Sequence, residues 1–235
     1  MTQMKVTLQQ QYSRVELLVR SIFGPIYIGI PHLFLLTFLA IWSQIVTFIA
    51  FWSILFTGRY PESFFEFNEK YLRWNWRLNA RLNNLCDGYP AFGLEAKDEY
   101  THFSVDYPEY LGKVHALVKV FFGVFYVLIP HGFILTFRGL ASLVLSFVAF
   151  WVVLFTGSYP ETIHQFNVGT MRWSIRVNLY LMLMTDQYPP FSGKEINSWL
   201  TLRGQLMGGR LKSYKDLFDD GRPANLFLDT KYFEA

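Results

Sequence analysis

Residues 21–58 contain no Asp, Glu, Lys or Arg, and the run is bounded by Arg20 and Arg59. A soluble core helix of about 10 to 14 apolar residues is far shorter, whereas about 20 suffice to cross a bilayer. Two further uncharged runs follow, residues 120–137 between Lys119 and Arg138 and residues 139–160 beyond them. Charged residues make up only 17% of the chain, against roughly 25% in ordinary soluble domains. The chain therefore reads as an all-α integral membrane protein. Its single cysteine, Cys86, can form neither an intramolecular disulfide nor a Cys-based metal site. The first 20 residues are polar and no small-residue cleavage site follows the first apolar run, so no cleaved signal peptide is expected.

The chain aligns with itself, without a gap, at an offset of 99 residues. Pro31-His32 falls on Pro130-His131, Phe56-Thr57-Gly58 on Phe155-Thr156-Gly157, and Tyr60-Pro61-Glu62 on Tyr159-Pro160-Glu161. Arg73-Trp74 and Arg77 meet Arg172-Trp173 and Arg176; Asp87, Tyr89, Pro90 and Phe92 meet Asp186, Tyr188, Pro189 and Phe191. Matches at Pro, Gly, Trp, Arg and Asp do not arise from apolar low complexity. The expected organisation is a first membrane repeat over 1–93, a linker over 94–103, a second repeat over 104–192 and a polar tail over 193–235.

Each repeat opens with an alternating segment, KVTL at 5–8 and HFSVDY at 102–107, which predicts a short edge strand. A straight helix over the 38 residues from 21 to 58 would be about 57 Å long, nearly twice the roughly 30 Å hydrocarbon layer. Arg138-Gly139 interrupts the second copy near its middle. Each run is therefore expected to double back as a short transmembrane helical hairpin. Gly58 and Gly157 suit C-terminal helix caps, and Pro61 and Pro160 suit the restart of a helix. Phe67, Tyr71, Trp74, Leu78, Leu82 and Leu85 then recur every three or four residues, with Glu66, Lys70, Arg73, Arg77 and Arg81 beside them. That pattern predicts an amphipathic helix lying in the bilayer interface.

Nearly all basic residues flank the bases of the hairpins, with Arg138 at the opposite corner. The positive-inside rule then places both termini on the cytoplasmic side. An even number of crossings per repeat makes the copies insert the same way up. The tail from Lys194 is expected to dock on a partner subunit or to remain unstructured, because about 40 polar residues bury no core of their own.

The motif set Pro-His, F-T-G-x-Y-P, R-W-x-x-R and T-D-x-Y-P-P-F in the second copy resembles a bacterial and archaeal membrane family catalogued as domain of unknown function 4389. The first copy departs from it with CDGYPAF in place of the last motif. The resemblance implies a multi-pass protein of the bacterial or archaeal cytoplasmic (inner) membrane, and it brings no activity, catalytic residue or cofactor.

His32 and His131 are the candidate intramembrane polar residues, since ionisable groups in such segments are functional candidates. They could relay protons or ligate a haem iron; alternatively they answer the carbonyls of Tyr27 and Tyr126, which Pro31 and Pro130 leave without an amide partner. Arg73, Trp74, Arg77, Arg172, Trp173 and Arg176 are the candidate lipid-headgroup site, because guanidinium forks suit phosphate oxygens and Trp suits the interface. No phosphate loop, zinc-protease helix, nucleophile elbow or paired-carboxylate motif is present. No enzyme, cofactor, metal or nucleic-acid partner is expected. The preferred function is a non-enzymatic integral membrane subunit that scaffolds or stabilises a larger membrane complex and contacts lipids and other membrane subunits. The alternatives are a small transporter or lipid-handling protein with a pathway between the repeats, and a haem-binding electron carrier.

Overall fold

The computed structural model describes residues 2–195; the tail expected at 193–235 lies outside the described residues from 196 onward. Residues Met1–Lys194 form one compact unit. Strand β1 (Gln3–Val6) precedes helix α1 (Arg14–Thr57) and helix α2 (Glu62–Leu82); strand β2 (Thr101–Ser104), helix α3 (Lys113–Thr156) and helix α4 (Glu161–Leu181) repeat the order.

The apolar runs do not double back. Each is one continuous helix of 44 residues, about 66 Å long at 1.5 Å per residue. Each carries a single π turn, at Pro25–Gly29 and Val124–Leu128, ahead of the site of the expected corner. There the Ile30 N–H reaches back to the Pro25 carbonyl and the Ile129 N–H to the Val124 carbonyl. The extra residue lets the helix continue through a proline that lacks an amide. Arg138-Gly139 stays helical. The Arg138 guanidinium donates to Thr170 Oγ1 (2.9 Å) and the Phe166 carbonyl (3.3 Å) and lies over the Phe166 ring, so it needs no water interface.

The hairpins that do form join α1 to α2 and α3 to α4. Gly58 and Gly157 cap the long helices at φ 75° and 77°, a left-handed conformation that glycine adopts without Cβ strain. A side chain at Gly58 would also lie 2.2 Å from the Tyr110 ring. Helix α2 then runs back along α1, meeting Ser43 at Asn68, His32 at Trp74 and Arg20 at Asn84. The aromatic stripe expected to face lipid packs inside the protein, with Trp74 and Leu78 against Ile28 and Leu36 of α1.

The repeats are interlocked rather than successive. The Tyr12 N–H donates to the Gly157 carbonyl and the Leu111 N–H to the Gly58 carbonyl, each 2.8 Å. Arg14 reaches the Phe155 carbonyl, and Lys113 the Phe56 carbonyl. The start of each long helix therefore lies against the end of the other. The two helices are antiparallel, and the pseudo-twofold axis runs across them. The two expected strands pair with each other as an antiparallel ribbon, Gln3 opposite Ser104 and Val6 opposite Thr101. Residues 94–103 are no passive linker, since they supply Asp98 to an ion pair with Arg81 and most of β2.

Candidate functional site

The Pro-His motif of each long helix is met by the Trp and the closing Tyr-Pro-x-Phe of the same repeat. Trp74 Nε1 donates to His32 Nδ1 at 2.8 Å, and Trp173 Nε1 to His131 Nδ1 at 2.8 Å. Phe92 and Phe191 stack on the imidazoles at centroid distances of 3.9 Å. Both histidines are fully buried. An Nδ1 that accepts from an indole carries no proton, so each imidazole is the neutral Nε2–H tautomer. A metal ion at Nε2 would need that nitrogen's lone pair, with the proton displaced onto an Nδ1 that already faces an N–H. The motif thus presents each imidazole to its indole as an acceptor, while the buried Nε2 of each has no hydrogen-bond partner. The carbonyls freed by Pro31 and Pro130 are met by tyrosines: Tyr89 Oη donates to the Tyr27 carbonyl (3.3 Å) and Tyr188 Oη to the Tyr126 carbonyl (3.0 Å).

The arginines expected at lipid headgroups are engaged inside the protein. Arg73 Nε donates to the Phe103 carbonyl of β2, and Arg172 Nε to the Met4 carbonyl of β1, both at 3.0 Å. Each clasps the strand of the other repeat. Arg73 also pairs with Glu69, and Arg172 Nη1 donates to the Gly193 carbonyl at 2.8 Å. Arg77, almost fully buried, reaches the carbonyls of Ala91, Gly93 and Ala96, and Arg176 reaches that of Ser192. Burial lowers the Arg77 pKa from its ordinary value, with Asp98 opposing. Trp74 and Trp173 are buried against their histidines. The physical reason is the closing loop: irregular backbone at 91–98 and 192–193 offers carbonyls outside any helix or strand, which guanidinium donors satisfy at short range.

Two constellations escaped the sequence reading. Asn68 accepts from Ser43 Oγ (2.7 Å) and donates to Thr47 Oγ1 and Tyr60 Oη. Asn167 does the same with Ser142, Ser146 and Tyr159. Each amide ties the tyrosine after the glycine cap to the middle of the long helix. The second constellation caps the helix starts. Asp87 accepts from the Ser13 N–H (2.7 Å) and from Arg20, while Asp186 accepts from the Gly112 N–H (2.7 Å) and from Lys119. A carboxylate there also complements the helix dipole. The signal for both was the duplication itself, since Phe-Asn and Asp each recur at the same offset.

A cleft of about 750 Å³ lies on the pseudo-twofold axis. Its walls are matched pairs from the two repeats, among them Ser43 with Ser142, Asn75 with Ser174, and Asn79 with Asn178. Amides, hydroxyls and apolar side chains line it, and no ionisable acid or base does except the tyrosine phenol of Tyr71. Among the described residues, no group of three or more His, Cys, Asp or Glu side chains comes together as a metal site.

These features define a class: a duplicated helical protein whose two long helices are apolar enough to cross a membrane and are each tied to the shorter helix that follows by buried polar bonds. The chain matches the domain of unknown function DUF4389 twice, over residues 19–92 and 118–193, and belongs to that family. No curated protein and no solved structure matches it.

Proposed function

We propose that this chain is a non-enzymatic membrane subunit that scaffolds or stabilises a larger membrane complex. One observation carries the reading. The most apolar stretches of α1 and α3 are only 22% and 11% buried within the chain, so a large apolar surface awaits lipid or protein. A surface so continuous marks an interaction face in soluble and membrane proteins alike. The buried ionisable groups support the same reading, because the histidines and arginines singled out in the sequence are held by internal partners. Such groups serve the architecture rather than turnover. The native setting is a bacterial or archaeal inner membrane, with both termini on the cytoplasmic side and the tail beyond Lys194 as a docking segment.

Purification in mild detergent, with the full chain and a chain ending at Lys194 in parallel, tests this. The expected result is a larger assembly with the full chain that is diminished without the tail. An unchanged monomer in both samples overturns the proposal. A second reading, a small lipid-handling protein, is favoured by the cleft on the pseudo-twofold axis. Flux or lipid transfer in reconstituted vesicles, abolished by filling the cleft with Ser174→Trp, would displace the scaffold reading.

A further inference from the structure

The outward side of α1 is apolar from one end to the other. Val15 is 71% exposed near its start, Phe34 63% near its middle and Phe56 72% at its end. Helix α3 repeats this with Val114, Phe133 and Phe155. Steps of four residues drift by about 40° each on a helix of 3.6 residues per turn. The extra residue in each π turn re-phases the stripe so that it stays on one side. Because the long helices are antiparallel and related by an axis across them, both stripes face the same way.

The opposite side is charged. Lys70 pairs with Glu66 and Glu95, whose side chains are 58% and 77% exposed. Glu66 and Lys70 sit on α2 beside Asn68, at the level where α2 meets Ser43, well inside the length of α1, and Glu95 reaches Lys70 from the segment after α2. If α1 stood across a bilayer, these exposed charges would lie within the hydrocarbon, at a cost of several kcal/mol per ion after relaxation. The ends of a helix about 66 Å long would also carry Val15 and Phe56 far outside a layer of about 30 Å.

From this geometry we infer that the protein does not span the membrane: α1 and α3 lie side by side in the membrane plane, buried in the acyl chains of a single leaflet, with α2, α4 and the ribbon in the water above. A helix about 10 Å across fits in one leaflet, half of a layer about 30 Å thick. The pseudo-twofold axis then stands along the membrane normal. The inference rests on the membrane reading above and replaces its multi-pass arrangement.

The test uses the full chain in liposomes of phosphatidylethanolamine and phosphatidylglycerol, with Val15→Cys, Phe34→Cys and Phe56→Cys carrying a fluorophore and doxyl-lipid quenchers reporting depth. Flotation of the liposomes shows first whether the protein is membrane-bound. In-plane seating predicts depths for the three labels that agree within one helix diameter. A Glu95→Cys variant should react with an impermeant maleimide from one face of the bilayer as fast as it does in detergent. Flotation with Phe34 deep and the two ends in water overturns the inference and leaves membrane association standing. Failure to float overturns both. Because the labelled positions are exposed, the substitutions leave the internal packing intact, and a circular dichroism spectrum matching the parent checks this.

Discussion

The indole–imidazole bond in each repeat allows the sharpest test of the structural role assigned to His131. Trp173→Phe removes the N–H that reaches His131 Nδ1 at 2.8 Å and leaves that nitrogen buried without a donor. An unsatisfied buried acceptor costs about 1–3 kcal/mol. His131→Phe leaves the opposite orphan, the indole N–H, at a similar cost. It keeps an aromatic ring against Phe191, on which the imidazole now stacks with an interplanar angle of 8°. In the double variant neither orphan exists, and replacing both partners by apolar groups is nearly neutral in hydrogen-bond terms. Packing lost on shrinking the indole is common to both arms of the cycle. The expected coupling is therefore the sum of the two orphan costs, about 2–6 kcal/mol, in the direction that makes the double variant more stable than the sum of the singles. Reversible unfolding in mixed micelles, followed by far-ultraviolet circular dichroism, measures it. Additivity within about 0.5 kcal/mol would refute the bond as a coupled pair. The same cycle at Trp74 and His32 should give the same sign, because the pair is built identically.

Three further outcomes follow from the internal bonds. Arg172→Met should destabilise more than Arg73→Met by about 1–2 kcal/mol, because Arg172 is buried on two carbonyls whereas Arg73 is partly exposed and shares its load with Glu69; thermal scans in detergent compare them, and each should still melt in one transition. Burial raises the Asp98 pKa, but hydrogen bonds from Arg81 and Thr101 outweigh it and hold the carboxyl below the ordinary range. Its stabilising contribution is therefore full above the unfolded value near 4 and fades as pH falls through the folded value; Asp98→Asn should abolish that slope, and should cost about 3 kcal/mol at neutral pH by leaving Arg81 buried and unpaired. Burial pushes the Cys86 thiol up to about 12, so maleimide labelling at pH 8 should be on the order of 100-fold slower in the folded protein than in denaturant.

Much of this architecture could be read from the chain before any coordinates. The duplication, the two short strands, the glycine caps and the restart at Tyr-Pro-Glu are all local chemistry, and local chemistry is written in residue types. The hairpin was misread because length was weighed against bilayer thickness, which presumes that a long apolar helix must cross. Pro31 and Pro130 do not stop the long helices, because a π turn before each lets the helix run on. Arg138-Gly139 looked like a corner because an arginine in an apolar run implies water; the Phe166 ring and carbonyl supply what water would have. Helix α2 looked interfacial because its basic stripe implies solvent or phosphate. The carbonyls that receive Arg77 come from residues 14 to 19 positions further on, and no periodicity reports that distance.

What the two copies share separates architecture from incidental surface more sharply than residue type does. The histidines, tryptophans, closing tyrosines and asparagines recur at the same offset, and each recurrence corresponds to the same bond made twice. Where the copies diverge, the bond survives by substitution, as when Lys119 replaces Arg20 against the matching aspartate. Arg138 has no such twin, since Leu39 stands at its place in the first copy. It is held by a hydroxyl, a carbonyl and an aromatic face, with no carboxylate in its hydrogen bonds. An interlocked pair that began as two equal halves needs no cation there for its fold. Arg138 is thus where the second repeat has departed from shared architecture, and Arg138→Leu should leave folding intact, with a far-ultraviolet circular dichroism spectrum and thermal transition in detergent close to the parent's.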